Sequence, residues 1–106
     1  MDISFIRTKV NDQEYDFSSH AHRERQEEQI TTAEIEQVLL TGDIIEKYPK
    51  DERGESCLVA AKVKNQPLHI ICGKRGSRLL IVTVYRPKPP IWKSYKQRTK
   101  ELKSRV

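Results

Sequence analysis

The chain has 106 residues, of which 36% are hydrophobic and 33% charged; that is the size of one small domain, and no stretch approaches the roughly 18 apolar residues of a membrane span. The N-terminus, MDISFIRTKVNDQ, lacks the apolar run of a secretory signal, so a single cytoplasmic domain over 1–106 with no membrane partner is expected. The net charge of +5 is the sum of opposed halves: residues 1–56 carry 7 Lys/Arg against 14 Asp/Glu, a net of −7, and residues 57–106 carry 13 against 1, a net of +12. Such a chain folds either into two halves that pair with each other or into a molecule whose basic surface attracts a polyanion or an acidic protein.

In chain order, Ile3, Ile6 and Val10 are spaced for a short amphipathic helix, although Phe5 leaves a strand reading open. After Asn11-Asp12 and a short EYDF segment, Ser18 or Ser19 can cap a polar helix, SSHAHRERQEEQ. TTAEIEQVLLTG then predicts a helix over 32–41, with Thr31 and Glu34 as a capping box, Ile35, Val38 and Leu39 as its apolar stripe and Gly42 as its end. Strands are predicted at DIIEKY, CLVAAKV, PLHIICG and RLLIVTVY. The GKRG segment between the last two reads as a hairpin turn, because it lacks the strand-loop-helix setting of a phosphate loop. The expected fold is α+β, with N-terminal helices packed on a three- to four-stranded twisted antiparallel sheet and a basic C-terminal segment after it.

Period-2 alternation and the turns assign side chains to faces. With Asn65-Gln66 and Arg75-Gly76 as two-residue loops, Lys62 and Val82 oppose His69. Val59, Ala61, Val63, Leu68, Ile70 and Cys72 then form a wholly apolar face. The other face carries Leu58, Ala60, Lys62, His69, Ile71, Leu80, Val84 and Arg86. A one-residue slip in the second hairpin would bring Thr83 and Tyr85 beside His69 instead. His69 is thus expected either at a polar edge, where neighbouring cations keep its ring neutral and able to accept a proton, or as a packed core histidine. Cys57 and Cys72 lie in separate apolar runs and read as buried reduced thiols. His20-x-His22 points its two rings in different directions on a helix with no third ligand apparent, so no metal site and no cofactor are expected.

Several segments together resemble the bacterial family described as domain of unknown function 4258, whose small members are often compared with RelE-like and MqsR-like ribonuclease toxins. They are Ser19-His20-Ala21, Ile30-Thr31…Ile35, Gly42-Asp43-Ile44-Ile45-Glu46…Tyr48-Pro49, Pro67-Leu68-His69-Ile70, and Thr83-Val84-Tyr85-Arg86-Pro87 followed by Trp92. The chain departs from the family at Glu27-Glu28-Gln29-Ile30, where members tend to carry an arginine; Arg23 and Arg25 stand one turn earlier. The resemblance implies a RelE-like, microbial-ribonuclease type of fold, the toxin role of a type II toxin–antitoxin system, and a cognate antitoxin, in several cases a zinc-finger protein.

A metal-independent endoribonuclease acting on mRNA, free or on the ribosome, needs a base for the 2′-hydroxyl, an acid for the leaving 5′-oxygen and cations at the phosphate. His69 is the first candidate for acid/base work, with Lys62 and Arg86 at the phosphate and Tyr85 as a stacking ring or second proton donor. His20, at a helix N-terminus that favours anions, is the second candidate base, and Arg23 lies on the same helix for RNA contact. In PKPPIWKSYKQRTKELKSRV the aromatics Trp92 and Tyr95 are interleaved with cations. Lys93, Lys96 and Arg98 are candidates for RNA or partner contact, while Ile91, Trp92, Tyr95 and Leu102 could anchor a terminal helix. The competing function is a non-catalytic RNA- or protein-binding module in which His69 is structural.

Overall fold

A computed structural model describes residues 1–52, 54–88, 92–94 and 96–98, with the backbone alone for 92–94, 97 and 98. Three helices come from locally satisfied ends. Asp2 caps α1 (Ile3–Asn11) by accepting from the Phe5 amide at 2.9 Å, and Ile6 and Val10 are its buried residues. Ser18 caps α2 (Ser19–Glu27), in which only Ala21 is buried. In α3 (Thr32–Thr41), Thr31 and Glu34 form the reciprocal capping box, and Ile35, Val38 and Leu39 are buried as their spacing predicts. None of these helices is long and apolar enough to cross a membrane.

The sheet has five strands and is mixed, which corrects the three- to four-stranded antiparallel expectation. Its members are β1 (Tyr15–Phe17), β2 (Asp43–Tyr48), β3 (Ser56–Val63), β4 (Gln66–Arg75) and β5 (Arg78–Tyr85), in the order β1-β5-β4-β3-β2. β1, the EYDF segment, runs parallel to β5 with Tyr15 opposite Leu79 and Phe17 opposite Ile81. A three-residue strand is too short for alternation to declare itself, and its partner lies 64 residues away along the chain. Arg78 clamps the pair with Nε 2.8 Å and Nη2 3.2 Å from the Asp16 carboxylate, and this fork holds the Asp16 carboxyl below its usual range. At the C-terminus, β6 (Trp92–Ser94) pairs antiparallel with β7 (Gln97–Arg98), so strands stand where a terminal helix was considered. Of the anchoring residues proposed there, Ile91, Tyr95 and Leu102 and the Trp92 side chain lie outside the described residues.

Both hairpin turns differ by one position from the expectation. Lys64 and Asn65 take φ of 52° and 64°, the two central residues of a primed turn, so the first loop is Lys64-Asn65 and Ala60, rather than Lys62, opposes His69. That shift of two in pairing leaves the faces of β3 and β4 as predicted. The second loop is Gly76-Ser77, with Arg75 opposite Arg78, and the register slips where Cys72 pairs with Ile81 but Ile71 pairs with Thr83, leaving Val82 as an extra residue. Beyond this bulge the faces of β5 are exchanged. Tyr85 opposes His69, while Val84 joins the helix-side core.

The main core packs Cys57, Val59, Leu68, Ile70, Cys72, Leu79, Ile81 and Val84 of the sheet against Ile6, Val10, Ala21, Ile35, Val38 and Leu39. Cys57 and Cys72 are buried free thiols on opposed strands, their sulfurs 4.0 Å apart. A smaller cluster on the far face joins Leu58 and Ala60 with Ile45, Tyr48, Ile71 and Tyr85.

Gly42 ends α3 with φ −80°, so close approach rather than a left-handed turn demands glycine there. A β-carbon would sit 2.6 Å from the Val38 carbonyl oxygen and 2.7 Å from that of Ala60. Gly42→Ala should therefore destabilise the protein by about 2 kcal/mol, through the displacement of α3 from β3. Urea denaturation measures this, and an unchanged midpoint would show that the junction can relax.

Candidate functional site

The β1 ladder on β5 stops at Ile81, and the N-terminal part of α2 takes over the strand edge from there. The Ser18 amide donates to the Ile81 carbonyl at 2.9 Å. Its hydroxyl donates to the Val82 carbonyl at 2.9 Å and accepts from the Ala21 amide at 3.0 Å. The Val84 amide donates to Glu24 Oε1 at 3.0 Å. These contacts fix where α2 begins and carry its second residue, His20, to the rim of a cleft.

The cleft holds about 470 Å³. Ser18, Ser19 and His20 line one side, Leu80, Val82 and Thr83 the β5 side, and Asp51, Glu55, Ser56 and Lys74 contribute the remaining polar wall. The His20 side chain is 61% exposed and sets Nε2 3.2 Å from Glu24 Oε2, four residues on along the helix. The positive end of the α2 dipole lies beside it. Glu55 meets the Met1 ammonium at 2.6 Å and lies 3.7 Å from Lys74 Nζ; these partners, the ammonium foremost, hold its carboxyl below the usual range. The Asp51 carboxylate accepts from the Ser56 hydroxyl at 3.3 Å. A carboxylate-oriented imidazole in an open cleft is equipped to accept and return a proton.

His69 is fully buried, not at an exposed polar edge. Its Nδ1 lies 3.0 Å from the Tyr85 hydroxyl, and the rings meet edge-on with centroids 5.1 Å apart. The bulge at Val82 causes this, since it turns Tyr85 rather than Arg86 onto the His69 face. On that sheet face the Ala60–His69–Tyr85 row follows the Leu58–Ile71–Thr83 row, the Val59–Ile70–Val84 row between them turning to the other face, and Thr83 lines the cleft. The histidine–tyrosine pair is thus one step beyond the cleft wall.

Of the cations expected at His69, Lys62 shares the sheet face of His69 and opposes Pro67, one row further along that face. Arg86 belongs to the other face and acts with Lys64 on the Glu34 carboxyl, which its bond from the Thr31 amide, above all, holds low. Arg23 is exposed on α2. Lys96 binds Asp43 at 2.7 Å, at the start of the outermost strand β2, and the Lys93 and Arg98 side chains lie outside the described residues. Among the described residues, no three His, Cys, Asp or Glu side chains gather as a metal-binding set.

Sequence reasoning passed over Glu24, and Ser18 as an edge contact. The i,i+4 spacing of His20 and Glu24 was a signal on the page, whereas the β5 edge that both Ser18 and Glu24 serve exists only after folding. Ser18→Ala removes the helix cap and one sheet contact together and should cost about 2 kcal/mol in a denaturant titration. Tyr85→Phe, which deletes the hydroxyl facing His69, should cost about 1 kcal/mol by the same method.

Comparison with curated proteins and with solved structures finds no match. Residues 17–86, which include α2, α3, the cleft-lining strands and the His69–Tyr85 pair, match the family model described as Domain of unknown function (DUF4258), and the chain belongs to that family.

Proposed function

We propose that this protein is a metal-independent endoribonuclease, the toxin of a type II toxin–antitoxin pair, with its reaction centre in the α2–β5 cleft. The observation that carries this is the exposed His20 imidazole, set against the Glu24 carboxylate at the positive end of α2. His20, not the buried His69, takes the proton of an RNA 2′-hydroxyl as that oxygen attacks the adjacent phosphorus. The α2 N-terminus and Lys74 stand where negative charge would build on the phosphate. The phenol of Tyr85, backed by His69, supplies the proton for the departing 5′-oxygen from the neighbouring row of the sheet.

Lys62, Lys64, Arg86 and Lys88 belong to the sheet end at the β3–β4 turn and the exit of β5. They belong to the half of the chain with net charge +12 and would track an RNA backbone away from the cleft. The same basic half suits a cognate antitoxin of opposite charge, of the zinc-finger kind that the family resemblance suggests, and RelE-like architecture accords with helices on one face of a largely antiparallel sheet. A second reading, a non-catalytic RNA- or protein-binding module, draws on the complete burial of His69 and on the two carboxylates, Asp51 and Glu55, in the cleft wall.

Purified protein incubated with RNA in chelator should give cleavage ends. His20→Ala should lower the cleavage rate by about 100-fold or more while thermal unfolding and RNA affinity are kept. Induced expression should arrest bacterial growth with new mRNA ends in the wild type alone. A wild type that binds RNA in a salt-sensitive way yet leaves it whole would establish the binding module instead.

A further inference from the structure

The two oxygens of the Glu24 carboxylate have separate partners. Oε1 accepts from the Val84 amide at 3.0 Å and Oε2 faces His20 Nε2 at 3.2 Å. We propose that Glu24 is a positioning residue that fixes neutral His20 in the Nε2–H tautomer and so makes Nδ1 the nitrogen that receives a proton, an inference that rests on the assignment of His20 as general base.

A backbone amide cannot change its polarity. The Val84 N–H always donates, and β1, which ends opposite Ile81, does not reach it. One carboxylate oxygen is therefore committed to the sheet. The helix is held in register with that sheet by Ser18, which bonds both Ile81 and Val82, so the second oxygen is presented to the residue four positions earlier. A carboxylate offers only acceptors, so the imidazole nitrogen facing it must carry the hydrogen whenever the ring is neutral. The lone pair is then left on Nδ1.

Glutamine separates this role from simple satisfaction of the Val84 amide. In Glu24→Gln the side-chain oxygen still serves Val84, and the amide nitrogen, which only donates, then faces His20 Nε2. Nε2 must become an acceptor and the hydrogen must move to Nδ1. The substitution preserves the sheet contact and inverts the ring.

Long-range proton–nitrogen correlation spectra of the labelled full chain at about pH 8, where ordinary imidazoles are neutral, report the tautomer directly. His20→Ala assigns the signals, and hydrogen exchange at Val84 follows the sheet contact. The expected result is Nε2–H in the wild type and Nδ1–H in Glu24→Gln, with Val84 equally protected in both. Nδ1–H in the wild type, or the same tautomer in both proteins, would overturn the proposal. In the cleavage assay, Glu24→Gln should lower kcat by about 100-fold or more at unchanged KM; a fully active variant with an inverted ring would overturn the catalytic role of the tautomer. If the wild type cleaves no RNA, the ribonuclease assignment falls, while the tautomer spectra still decide whether Glu24 sets the ring.

Discussion

The exposed edge of β5 beyond Ile81 is the constraint on which the site depends. A strand edge with unmet amide and carbonyl groups is costly if buried and adhesive if exposed. Here β1 covers the first part of that edge and α2 covers the rest, through Ser18 on the Val82 carbonyl and Glu24 on the Val84 amide. Only Ala21 of α2 is buried, so this helix is held by polar bonds to the sheet edge more than by an apolar stripe. Its start is consequently fixed to a defined step of the ladder, and His20 with it.

The bulge at Val82 is the second determinant. One extra residue moves Val84 into the helix-side core and turns Thr83 and Tyr85 to the far face. That face consequently has a buried histidine paired with a half-buried tyrosine, one row on from the row that borders the cleft. Had β5 continued without the bulge, Val84 would have opposed His69, and Arg86 rather than Tyr85 would have shared its face. The strand length is unaltered by this choice, but the chemistry on its surface is not.

Charge is distributed to match. Glu55 is neutralised within the cleft wall by the Met1 ammonium and Lys74, Glu34 is engaged at the start of α3, and Asp16 is engaged by Arg78. These engaged carboxylates belong to the acidic first half, and Lys74 and Arg78 come from the basic second half. Pairing between halves is therefore present, and the chain as a whole keeps a net charge of +5.

The sequence by itself determined the helices, the four longer strands and the two faces of the β3–β4 hairpin. Caps at Ser18 and Thr31, the Ile35–Val38–Leu39 stripe and period-2 alternation are local signals, and each acts within a few residues. It also carried both candidate histidines, His20 and His69, and the i,i+4 partner of His20. Only the tertiary structure decided that β1 exists, because a three-residue strand is stabilised by a partner far along the chain. The same holds for the turn positions and the bulge, where shifts of a single residue leave the apolar pattern nearly unchanged but exchange which side chains meet. His69 was legible as a residue in a strand; that it is buried against Tyr85, while His20 stands exposed at the rim of the cleft, follows from long-range register, which no local pattern encodes.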